Sequence, residues 1–194
     1  MSRIPGSINV GLVATLLVAT FLTAYTAGSS ASAGDLQGYK PVYSLGSGKG
    51  DWWVKYPDQS PNASSSVDHL SWIVDDLKQK PVIVFVHRTD CKACKVQEND
   101  LDKVLATYGE DVKYYDMIAD IPDEKILSVL NVYYPNSGVP TVPTTVIFTL
   151  VKDTNGKATV GWHSMDDAMG EDVVASYVKD AIYYYRQNSV DWNK

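Results

Sequence analysis

Pro81-Val82-Ile83-Val84-Phe85-Val86 runs through His87-Arg88-Thr89-Asp90 into Cys91-Lys92-Ala93-Cys94, and the reading of this stretch decides the fold. Its first six residues are nearly all apolar and β-branched, which predicts a central strand buried on both faces. Past the cysteines the pattern becomes helical. Cys94, Leu101, Leu105 and Tyr108 fall on one stripe, flanked by Val104, while Lys92, Lys95, Glu98, Asn99 and Asp102 spread over the remaining surface. Cys94 therefore faces inward and Cys91 sits at the exposed helix N-terminus. A strand that ends in CxxC and continues as a helix is the local signature of a redox site.

The chain has these two cysteines and no others. As a staple the pair is poor, because so short a loop removes far less unfolded-state entropy than the ~3 kcal/mol expected for a loop of about 15 residues. Chemistry explains it better, although a static disulfide stays open as the alternative. A zinc site needs two further ligands. His87 and His163 would complete such a set with Cys91 and Cys94, but the spacing is unlike any zinc ribbon, and no metal is expected.

The 194 residues suffice for one domain of ordinary size plus a tail, and 45% of them are apolar or aromatic, enough for a substantial core. The net charge of -6, with no basic cluster, argues against a nucleic-acid partner. Tyrosine outnumbers phenylalanine 13 to 3, a bias that suits half-buried contact surfaces.

After Arg3 an almost uncharged apolar run extends from Val10 to about Ala24, and a small-residue tract then ends in Ala31-Ser32-Ala33. Basic start, apolar middle and A-x-A site form the export-signal pattern. Residues 1–33 are thus expected to be a signal peptide cleaved after Ala33, or an anchor tethering the chain through residues 10–27 to the outer face of the cytoplasmic membrane. Both readings place the domain outside the cytoplasm, secreted or tethered.

Residues 34–65 read as an irregular, aromatic-rich arm or linker carrying Tyr39, Tyr43, Trp52, Trp53 and Tyr56. Packing over the domain, with Trp52-Trp53 in a short strand or patch, is preferred to a partner-binding role. Asn62-Ala63-Ser64 is an N-glycosylation sequon in an evident loop. The domain proper spans 66–188. Ser65 or Ser66 is expected to cap a helix through Val67, Leu70, Ile73, Val74 and Leu77, with His69 on its surface. After the central strand and the cysteine helix come a strand at about Val112 to Ile118, a helix opened by Pro122 as first helical residue with Ile126, Leu127 and Leu130 inward, and a strand over Thr145–Val151. An Asn155-Gly156 hairpin leads to a strand at Ala158–Trp162. The last helix follows Gly170, with Asp166-Asp167 in a solvated turn and Trp162 and Tyr183-Tyr184-Tyr185 as core and rim.

From Ser66 the order is helix, strand, helix, strand, helix, strand, strand, helix. With CxxC opening the second helix and Val142-Pro143-Thr144 ahead of Thr145-Val146-Ile147-Phe148, the chain resembles the thioredoxin-like superfamily over roughly Trp53 to Gln187. The resemblance implies an α/β thioredoxin-like fold, a central mixed β-sheet flanked by helices. It also implies a cis-proline segment, Val142 and Pro143, lying against the disulfide and docking substrate; Pro140, also within Val-Pro-Thr, is the alternative.

The mechanism implied is thiol–disulfide exchange, with Cys91 the nucleophile, favoured as thiolate by the helix N-terminus, Lys92 and Lys95, and Cys94 the resolving thiol. No bound cofactor is needed. Partners would be protein thiols or disulfides and a membrane redox protein, and a monomer is expected. The chain departs from the family at Lys92-Ala93, where Gly-Pro is frequent, and at Asp90, where tryptophan is frequent and whose carboxylate opposes thiolate formation. Phe85 stands where many thioredoxins keep a buried aspartate that relays protons. His87 and Asp90, with Lys92, are candidates for tuning the thiolate, and His87 reads equally as an exposed corner residue. The direction of transfer stays open. A non-enzymatic interaction module with a fixed disulfide and a binding arm around Trp52 and Trp53 is the competing reading.

Overall fold

Every residue of Val82–His87 is buried, as its unbroken apolar run requires of an interior strand (β1). The computed structural model describes residue 36 and residues 38–192, so the expected signal or anchor, residues 1–33, lies outside the described residues. From Ser71 onward the chain forms α1 (Ser71–Asp76), β1, α2 (Lys92–Tyr108), β2 (Lys113–Ile118), α3 (Glu124–Tyr133), β3 (Thr144–Lys152), β4 (Ala158–Met165) and α4 (Glu171–Asn188). The sheet order is β2-β1-β3-β4. β1 pairs parallel with β2 and antiparallel with β3, and β3 pairs antiparallel with β4.

The two-residue period of the strands divides the core in two. Val82, Val84, Val86, Val146, Phe148 and Trp162 point to the face covered by α1 and α3, where Ile73, Leu77, Val129 and Tyr133 meet them. Ile83, Phe85 and Ile147 point to the opposite face, under Leu101 and Val104 of α2 and Val174, Val178 and Ile182 of α4. Each of these large side chains contributes roughly 1.5–3 kcal/mol by leaving water.

Local chemistry sets most boundaries. Asp123 caps α3, its carboxylate accepting the Lys125 and Ile126 N–H groups at 2.8 and 3.0 Å. Pro122 therefore precedes the cap instead of opening the helix. Leu127, expected inward, is exposed, while Ile126, Val129 and Tyr133 carry the buried face. The β3–β4 hairpin closes as expected, with Gly156 at φ 76° and the Asp153 carboxylate accepting the Asn155 and Lys157 amides, each at 2.9 Å.

Two expectations need larger correction. The first helix does not start at Ser65 or Ser66: Ser66 bridges Lys55 in extended conformation, and α1 begins only at Ser71. His69 is consequently neither helical nor on the surface. It is half-buried and stacks on Tyr133 at 5.8 Å between ring centroids, and burial lowers its pKa to about 4.

The arm is not a linker, and Trp52 and Trp53 pack over the domain as expected. Trp52 and Trp53 are fully enclosed, and Trp53 exchanges two backbone hydrogen bonds of 2.9 Å with Trp162, adding a short bridge to the free edge of β4. The Asp180 carboxylate of α4, completely buried, accepts from the Tyr39 hydroxyl (2.6 Å) and from the Val42 and Tyr43 amides (2.9 Å each). Segment 39–60 belongs to the same compact unit as the sheet.

Candidate active site

β1 ends at His87, and four residues later Cys91 takes the N-cap position of α2, extended at φ -93° and ψ 118°. Its sulfur accepts a hydrogen bond from the Cys94 N–H at 3.1 Å, doing for the first turn what a serine or aspartate cap usually does. Cys91 and Cys94 are joined in a disulfide with Cα atoms 5.2 Å apart. Cys94 has no exposed surface, as the helical phase required, and Cys91 is half-exposed. The first turn of α2 holds no acidic residue, so its free N–H groups and dipole favour a negative charge on Cys91 once the bond is reduced.

The cis peptide bond lies between Val142 and Pro143, which selects Pro143 over Pro140. The Val142 carbonyl oxygen is 3.8 Å from the Cys91 sulfur. Beside it a groove of about 460 Å³ is lined by Arg88, Ala119, Ile121, Leu127, Pro140 and Val142 among others. Ile121 and Leu127 present apolar side chains there that are 76% and 51% exposed.

The three candidate tuning residues separate. Asp90 is forked by Arg88, whose Nε and Nη2 donate to its two oxygens at 3.1 and 3.3 Å, so its charge opposes a Cys91 thiolate less than the bare sequence implies. Arg88 in turn has its pKa raised, chiefly by these hydrogen bonds. The preceding loop is tied across to the loop after β2, where the Thr89 hydroxyl and amide donate to Asp120 and hold its carboxyl below the usual range. Lys92 is exposed in the first turn. His87 is not an exposed corner residue but 5% exposed. Its ring stacks on Phe85 at 4.7 Å, and its Nε2 lies 2.6 Å from an Asp116 carboxylate oxygen on the neighbouring strand.

His163, the fourth member of the zinc set, is engaged elsewhere. The Asp51 carbonyl can only accept, so Nδ1 carries the proton and donates to it at 2.8 Å. The ring stacks on Tyr177 at 4.0 Å. Burial lowers its pKa to about 4, against the opposing effect of the Asp51 carbonyl.

One residue of the site escaped the sequence reading. Gln97 is completely buried on the inward stripe of α2, one turn beyond Cys94. Its Nε2 donates to the Thr145 hydroxyl at 3.3 Å, and its Oε1 accepts the Met169 N–H at 2.9 Å. The signal was present, since 97 stands at i+3 from Cys94 and i−4 from Leu101, a core position by phase.

Parallel β1 and β2, antiparallel β3 and β4, a CxxC disulfide opening the helix after β1 and a cis-proline entering β3 together define a thioredoxin-like fold with a disulfide site. No protein-family model matches the chain, and no curated protein matches it in sequence. Among solved structures it is similar to thioredoxin-2 of a malaria parasite, at 16% identity over 52% of this chain and 82% of that one, with a TM-score of 0.37. It is also similar to chloroplastic thioredoxin z, at 18% identity over 56% and 84% of the two chains and a TM-score of 0.39. For mitochondrial thioredoxin 3 from Saccharomyces cerevisiae the identity is 19% over 57% and 88%, and the TM-score is 0.38.

Proposed function

We propose that the protein is a thiol:disulfide oxidoreductase acting outside the cytoplasm on protein disulfides or dithiols. The observation that carries this reading is the half-exposed Cys91 at the α2 N-terminus, disulfide-bonded to a buried Cys94, with the Val142 carbonyl 3.8 Å from its sulfur. In the reduced protein the Cys91 thiolate attacks a substrate disulfide, and the displaced substrate sulfur leaves as thiolate and takes a proton. Cys94 then loses its proton and attacks the Cys91 sulfur. The protein disulfide forms, the second substrate thiol departs, and two electrons have passed to the substrate. The same steps reversed oxidise a dithiol.

An extended substrate would lie along the Val142–Pro143 segment, with apolar side chains in the groove lined by Ile121 and Leu127. The export pattern of residues 1–33 supports the extracytoplasmic setting, and a membrane redox protein would return the electrons there. The chain acts as a monomer without a bound cofactor.

The test is reduction of insulin disulfides with dithiothreitol by the full chain. Wild type is expected to be active and Cys91→Ser inactive, while Cys94→Ser should accumulate mixed disulfides that dithiothreitol releases. An inactive wild type whose Cys91 also resists alkylation after reduction overturns the proposal in favour of an interaction module with a fixed disulfide. Equilibration with glutathione sets the potential and hence the direction of transfer.

A further inference from the structure

We infer that Gln97 is a positioning residue for the redox pair, clamping the first turns of α2 so that the disulfide is favoured over the dithiol. This rests on the oxidoreductase reading. Gln97 occupies a place where helical phase calls for an apolar side chain, and it has no exposed surface. Burying an amide costs free energy unless its hydrogen bonds are replaced, and here both ends are engaged. The amide nitrogen reaches Thr145 and the amide oxygen reaches the backbone of Met169.

These partners lie on different elements. Thr145, itself completely buried, is two residues past the cis-proline and sits opposite Phe85 in the β1–β3 register. Met169 belongs to the connection between β4 and α4. One side chain therefore joins α2, the cis-proline strand and the β4–α4 connection. Gln97 itself stands one turn beyond Cys94 on the buried stripe of α2, so whatever fixes it fixes the helix that carries the resolving cysteine.

Reduction breaks the bond between the two sulfurs and moves them out to van der Waals contact, which the first turn of α2 must accommodate. A clamp one turn further along the same helix limits how far the first turn can shift and so weights the equilibrium toward the disulfide. The consequence is read in the two-electron exchange in which two glutathione thiols become glutathione disulfide and the Cys91–Cys94 disulfide becomes a dithiol.

In the full chain, Gln97→Leu is expected to shift this equilibrium toward the dithiol by about 3- to 10-fold. Thr145→Val, which removes only one of the two bonds, should shift it the same way by less, and Thr145→Ser should restore the wild-type value. If Gln97→Leu fails to fold, the Thr145 pair decides alone. A residue with a merely structural role would lower the melting temperature of both redox forms equally and leave the equilibrium unmoved. Wild type that equilibrates normally beside variants that do not shift, or shift toward the disulfide, overturns this inference alone. A wild-type disulfide that neither glutathione nor dithiothreitol reduces overturns the oxidoreductase reading with it.

Discussion

Replacing Asp180 by asparagine should release the N-terminal arm from the domain. Besides Tyr39, Val42 and Tyr43, the carboxylate also receives the Trp52 Nε1 proton at 3.4 Å, so two donors converge on each oxygen. Asparagine has nearly the same shape but keeps one accepting oxygen and sets an NH2 group against two N–H or O–H donors. Hydrogen bonds to a charged group are worth about 1.5–3 kcal/mol each, so losing two costs roughly 3–6 kcal/mol. Relief from burying a charge offsets part of this, and a net loss of about 2–4 kcal/mol is expected. For a chain of this size each kcal/mol moves the melting temperature by about 2–4 °C, which predicts a drop of roughly 5–15 °C. If the arm lifts away while the sheet holds, the loss appears instead as protease cleavage within 39–60 and red-shifted emission from Trp52 and Trp53. Circular dichroism melts, limited proteolysis and fluorescence read both cases. An unchanged melting temperature together with a protected arm and unshifted emission would refute the reasoning.

Acid should destabilise the fold through buried His163 and half-buried His69. His163 and His69 gain a proton near pH 6.5 when unfolded but only at about 4 when folded. The unfolded chain thus binds more protons between those values, and stability falls as pH falls through that window by about 1.4 kcal/mol per unit per histidine. His163→Gln should flatten the slope of unfolding free energy against pH; an unaltered slope would contradict the assignment. At the redox site, Arg88→Ala frees the Asp90 carboxylate beside Cys91 and should slow alkylation of the reduced protein at neutral pH by about 2- to 5-fold. Adding Asp90→Asn should restore the rate, and salt should shrink the difference; a single variant as fast as wild type would show that the fork does not shield Cys91.

The strand and helix that frame the cysteines are legible in the sequence because their patterns are local. An unbroken run over Val82–Val86 has few readings besides a buried strand, and the stripe from Cys94 to Tyr108 fixes which sulfur is inward. β3, the Asn-Gly hairpin and α4 are legible for the same reason. The arm is legible only in part: its aromatic pair reads as packing, but its Gly, Ser and Pro content looks like linker, while its order comes from Asp180 and Trp162, far along the chain. His69 misled because Val67 and Leu70 continue the spacing of α1, and nothing in that spacing reveals that Ser66 is held extended against Lys55. The contact of His87 with Asp116 is equally hidden, since only the pairing of β1 with β2 brings the two side chains together.

The contact between Tyr39 and Asp180 spans 141 residues, and the order in which a chain is synthesised gives that span a meaning. Residues 39–53 are made early, yet their resting place on β4 and α4 is made last. Closing so long a loop carries a large entropic cost before any contact repays it. Trp52 and Trp53 therefore wait uncovered while the rest of the domain is translated, an exposed aromatic pair on the nascent chain of the kind that chaperones hold.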